Sequence, residues 1–123
     1  MATLSDRVFD NGLTVLDTEA NRIDICSTEP TTYAQATSTY TLGNSTSLSI
    51  GAPADRSGGG REVTVAAISD GSVTGTGTAA YYAIVDTSNS RLLATGSLSA
   101  SQSVTTGNTF TLSSVTIGIP DPA

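Results

Sequence analysis

From Glu62 to Ile119 apolar residues alternate with hydroxyl-bearing or small ones, and this period of two constrains the fold more than any other feature of the chain. Successive side chains of a strand point to opposite faces, so the pattern suits a pleated sheet and frustrates a helix. "EVTVAAI" alternates through Val63, Val65 and Ala67, and Asp70–Gly71 in "SDGS" predicts a hairpin turn. A long strand follows in "SVTGTGTAAYYAIVD", with Tyr81, Ala83 and Val85 on one face and Tyr82 and Ile84 on the other. "RLLATGSLS" returns as its partner, and the polar residues 86–90 between them read as a turn, with Asp and Asn bonding nearby backbone. "SVTTGNTFTL" carries Phe110 and Leu112, and "SVTIGI" alternates Val115, Ile117 and Ile119 until Pro120 stops it. Six or more short strands with turn signals between them predict a mainly β fold, an antiparallel β-sandwich of jelly-roll or Ig-like kind. Each strand is expected to have one apolar face and one lined with Ser and Thr.

Ahead of residue 61 the pattern is broken. Ser5 is a candidate helix N-cap, with Val8, Phe9, Leu13 and Leu16 near helical spacing, but Asn11–Gly12 interrupts them and would equally turn a hairpin. The expectation is a short N-terminal helix, or a turn followed by a strand. "NRIDICS" reads as a strand, "TEPTTYAQATSTY" offers one helical turn, and "TLGNSTSLSIGAP" is strand-like through Leu48 and Ile50. Gly58, Gly59 and Gly60 make residues 54–61 a flexible loop, since three glycines cost backbone entropy in any regular element. At 123 residues the whole span 1–123 is read as a single β domain.

Composition narrows the function. There is no histidine, which removes the commonest general base and metal ligand, and no pair of the eleven acids stands out as a glycosidase dyad. "GGGR" lacks the Lys–Ser/Thr ending of a phosphate loop, and "DTSNS" from Asp86 lacks the glycine and glutamate of a calcium loop. No catalytic residue, cofactor or metal site is expected. The net charge is −6 and the five arginines are scattered, so neither nucleic acid nor an anionic membrane is an expected partner. The first residues show no signal-peptide pattern, which implies synthesis in the cytoplasm. Cys26 has two readings, a small partly buried residue or an intermolecular disulfide between subunits. Tyr81 and Tyr82 must face opposite sides of their strand, which makes Tyr82 a candidate outward interface anchor.

The run "TGTAAYYAIVDTSNSRLLATGSLSASQSVTTGNTFTL", the ending "IGIPDPA" and the opening "SDRVFDNGLTVLDTEANRIDICSTEPTTYAQA" together resemble small structural proteins of tailed bacteriophages, head-decorating or tail-associated. The resemblance covers most of the chain, and its motifs are structural. It implies a non-enzymatic virion protein, a capsid decoration or cement protein that binds the head lattice as a homo-oligomer, a trimer by analogy. Its partners would be the major capsid protein or other virion proteins. Residues 1–20 and the glycine loop would then dock on the lattice, with Val8, Phe9, Gly58, Gly59, Gly60 and Tyr82 as contacts. The alternative is a tail- or fibre-associated module that binds a receptor or glycan. A hydrolase of cell-wall sugars is a third reading.

Overall fold

The computed structural model describes residues 6–120, with side chains from residue 11 onward. The chain is mainly β, and every strand pairing is antiparallel. Within the span read as one domain the residues gather into two compact units. The first takes the chain up to Glu19, Ser49–Ala67 and the stretch from Ser113 onward; the second takes Ala20–Leu48 and Ile68–Leu112.

The second unit is a six-stranded, curled half-barrel sheet. Its strands are β1 (Arg22–Cys26), β2 (Thr41–Ser45), β5 (Ile68–Val73), β6 (Gly77–Asp86), β7 (Arg91–Val104) and β8 (Thr109–Leu112). They lie in the order β7-β6-β1-β2-β5-β8. Register puts Ile23 beside Ile84 and Ile25 beside Tyr82, and these buried side chains share one face. Phe110 lies opposite Gly71 and Tyr82 opposite Gly96. A Cβ on Gly71 would stand 2.2 Å from the Phe110 ring, and one on Gly96 would stand 2.6 Å from the Tyr82 ring. Each glycine is therefore the seat of a cross-strand ring, a use for glycine in a strand that needs close approach.

Asp70–Gly71 does not turn a hairpin: β5 runs through it, and the ladder to β8 shifts register between Ile68 and Gly71. The glycine serves the Phe110 ring, and the chain bends there by a bulge instead of reversing. Nor do the central strands keep a polar outer face, since residues 23–26 and 82–86 are buried throughout. The segment after β1 covers the second face. It contains one π-helical turn, Gln35–Thr39, closed by Tyr40 N–H donating to Gln35 O at 2.8 Å. Cys26, Ala36, Ala83 and Val85 form a buried cluster there, with Tyr33, Tyr40, Tyr81 and Leu92 packed around it.

The first unit holds α1 (Asp6–Glu19) and a three-stranded sheet, β3 (Ala54–Asp55), β4 (Arg61–Val65) and β9 (Val115–Ile119), in the order β3-β4-β9. The N-terminal helix of the sequence reading is the form observed, and it continues through Asn11–Gly12. Glycine in a helix costs about 1 kcal/mol against alanine. Leu13 and Leu16, buried at 2% and 8% exposure on one helix face, more than offset that when α1 packs on β4, where Val63 and Val65 are also buried. One side of β4 is covered along its length, by β3 and by an isolated bridge from Ile50 to Val65. Its other side pairs with β9 through five residues, Arg61–Ile119 to Val65–Val115.

Candidate functional site

The polar turn after β6 is built by side chains bonding backbone. Asp86 Oδ1 accepts the Ser88 N–H at 3.0 Å and its Oδ2 accepts Asn89 Nδ2 at 2.8 Å. These bonds and the nearby Arg91 charge hold the Asp86 carboxyl below the usual range, against the desolvation that opposes them. Asn21, just ahead of β1, clamps the turn from outside: its Oδ1 accepts both the Thr87 N–H, 2.9 Å, and the Thr87 hydroxyl, 3.1 Å. Ser90 takes the left-handed conformation, φ 54°, that closes the loop before Arg91 pairs opposite Asp86. Thr87 to Ser90 stand exposed at the tip. The acid and amide groups gathered here are engaged in shaping a bend.

A second polar group lies inside the sheet. Asp24 is fully buried and ion-paired to Arg22, with Nε to Oδ1 at 2.7 Å and Nη2 to Oδ2 at 2.8 Å. The Thr41 hydroxyl donates to the same Oδ2 at 2.7 Å. The hydrogen bond to Asp24 raises the Arg22 pKa, in spite of partial burial. Every oxygen of this carboxylate is occupied, so its chemistry is to tie β1 to β2. Sequence reasoning singled out neither residue; the signal was an acid and an arginine two apart in an apolar strand, which places both on one face.

The candidate contact residues fall in different places. Tyr82 is not outward: it is 7% exposed, its ring rests on Gly96, and burial pushes its phenol pKa up. Cys26 is fully buried, its Sγ 3.7 Å from the Ala36 carbonyl it donates to. Burial, helped by the Asp24 charge, pushes the thiol up to about 12. A disulfide to another subunit would require the segment that holds Tyr33, Ala36 and Tyr40 to lift off Cys26. Gly58, Gly59 and Gly60 form the tip of the β3–β4 hairpin, all with positive φ, at 88°, 106° and 95°. Arg56 closes that tip, its N–H donating to Gly60 O at 3.1 Å and its Nη1 to Gly59 O at 3.0 Å. Gly60 tolerates no side chain, since a Cβ there would stand 2.0 Å from Ile119 O. The side chains of Val8 and Phe9 lie outside the described residues.

The strand edges are the features the sequence did not disclose. The long β7 is an edge strand with two irregularities: Leu93 is extra opposite β6, and Leu98 to Ser101 stand together opposite Ala80. The other edge of that sheet is β8, where Gln102 Nε2 donates to Thr111 O at 2.7 Å and links the two edge strands. In the smaller sheet β9 is, among the described residues, paired on one side only, with β4. Its Val115, Ile117 and Ile119 are half-buried while Thr116 and Gly118 are exposed. Among the described residues no group of three or more His, Cys, Asp or Glu is placed to hold a metal ion, and no helix is long and apolar enough to cross a membrane. Comparison with protein-family models, curated proteins and solved structures gives no match.

Proposed function

We propose that the protein is a non-enzymatic virion structural protein of a tailed bacteriophage, a capsid decoration protein that binds the head lattice as an oligomer. The observation that carries the reading is how the buried acids are used. Asp24 and Asp86 are each tied on both oxygens to groups that fix strands and turns. What the surface offers a partner is strand edge, hydroxyl and half-buried apolar side chain, which is the equipment of a protein that works by contact. The resemblance of the sequence to small phage structural proteins supplies the partner, the major capsid protein or another virion protein, and favours a trimer. The sandwich class, jelly-roll or Ig-like, belongs to the same proposal, as does assembly on the virion from protein made in the host cytoplasm. Many modest contacts repeated over a lattice would add through multivalency.

Purified protein mixed with undecorated heads should co-sediment with them and appear by electron microscopy as density repeating with the lattice. Shortening the Ser57–Gly60 tip should lower its occupancy. Failure to bind heads, together with binding to host cells or to a glycan array, would replace this reading with the receptor-binding one. The burial of Tyr82 gives that second reading no support, because it needs outward aromatic rings.

A further inference from the structure

We infer that β9 is a homotypic docking edge, at which two copies of this chain join antiparallel across a two-fold axis at Ile117. An open strand edge presents a row of unpaired N–H and C=O groups, and the group that satisfies such a row is another extended strand. Natural edges are normally blunted by charge, bulges or a covering element. In this molecule β7 is bulged twice and β8 is bridged by Gln102. The five pairs of β4 with β9 run without a register shift, so no bulge interrupts β9. No charged residue occurs between Arg91 and Asp121, and the strand is Val-Thr-Ile-Gly-Ile.

The sequence of the strand selects a second copy as the occupant. With Ile117 on the axis, Ile117 faces Ile117 of the other copy, Val115 faces Ile119 and Thr116 faces Gly118. Every apolar residue meets an apolar one, and all five positions are used. A slip of one residue would put apolar side chains on the wrong face. The register also satisfies hydrogen bonding, because it pairs odd residues with odd and even with even, whichever set points its backbone groups outward. The chain's charge of −6 opposes association elsewhere on its surface, and this strand carries none of it. The nearest arginines are turned aside. Arg61 reaches Asp55 Oδ1 at 2.7 Å and Pro53 O at 3.2 Å on the β3 side, and Arg56 lies across Gly118 on the face away from the apolar row. Pro120 ends the strand directly after Ile119, which limits the contact to these residues. The result is a continuous six-stranded sheet made from two three-stranded ones.

This inference concerns the free protein and stands apart from the virion reading; three-fold contacts on a lattice would use other surfaces. It is tested by light scattering and sedimentation over a wide concentration series. The wild-type chain should have the mass of two chains, and Ile117→Lys, which opposes two cations on the axis, should have the mass of one with an unchanged circular dichroism spectrum. Ile117→Cys should oxidise to a cross-linked dimer, while Ile119→Cys, which faces Val115, should not. A wild-type protein that stays monomeric would overturn the inference and point to a strand from a different protein. So would an Ile117→Lys variant that assembles as well as wild type, or equal cross-linking of the two cysteine variants.

Discussion

The two sheets of this protein treat their edges in opposite ways. The six-stranded sheet disrupts β7 with bulges and links β7 to β8 through Gln102, and it fills its centre with a lid segment and a buried ion pair. The three-stranded sheet pairs β4 on both sides and, among the described residues, leaves the outer side of β9 unpaired, unbulged, uncharged and half apolar. The difference teaches that an edge is defined by what fails to pair with it, and that the larger sheet is finished within the chain while the smaller one is not.

Substitutions should divide accordingly, with large stability losses in the larger sheet and small ones at β9. The largest is expected from Arg22→Leu, which leaves the fully buried Asp24 without its cation. Breaking a buried pair costs about 3–5 kcal/mol, and the part exposure of Arg22 places this one near 3 kcal/mol. Urea denaturation measures it, and the double variant with Asp24→Leu should recover most of the loss. If the single variant is neutral, the pair does not hold the sheet. Next come Gly71→Ala and Gly96→Ala, where the new methyl displaces Phe110 or Tyr82 from its seat, at about 1–3 kcal/mol each. Alanine should otherwise suit a strand slightly better than glycine, so stabilisation would refute the ring-seat account.

The titrating groups of the larger sheet give it a pH signature. The Cys26 pKa is raised from 9.0 to about 12, so the folded state holds that proton more tightly than the unfolded one. Its contribution is complete below about pH 9 and is lost as pH rises towards 12, with Tyr82 adding loss in the same alkaline direction. Asp86 acts in the opposite sense: its lowered pKa adds stability above the unfolded value, near 3.8, that disappears as pH falls through the folded one. Melting temperature against pH should show both limbs, and Asp86→Asn should flatten the acid one. A thiol reagent at neutral pH should label Cys26 only after denaturant is added; fast labelling of the native protein would contradict its burial. The smallest stability effect belongs to Ile117→Thr, below about 1 kcal/mol for a half-buried side chain kept in a β-favouring residue.

The sequence carried the strands well where apolar residues alternate. β4, β6, β8 and β9 lie where the period of two put them, and Tyr81, Ala83 and Val85 do share a face. It carried less where one residue type serves two purposes. Asp70–Gly71 has the composition of a turn, yet the glycine is needed under Phe110, and only the partner strand decides between these. β2 was displaced towards Leu48 and Ile50 because Thr41–Ser45 has little apolar alternation of its own and is held by its neighbours. The lid over Cys26 was invisible for the same reason: a covering segment is recognised by what lies beneath it. The polar turn at 86–90 was legible from local chemistry, whereas the open side of β9 was not, since edge position belongs to the sheet and not to the strand.

Hydrogen exchange of wild type beside Ile117→Lys tests the contrast between the two sheets most directly. In the wild-type protein residues 115–119 should be strongly protected, and in the variant the amides facing away from β4 should exchange fast while β6 and β7 stay unchanged. Equal exchange of 115–119 in the two proteins, or a loss of protection confined to β7, would contradict the account.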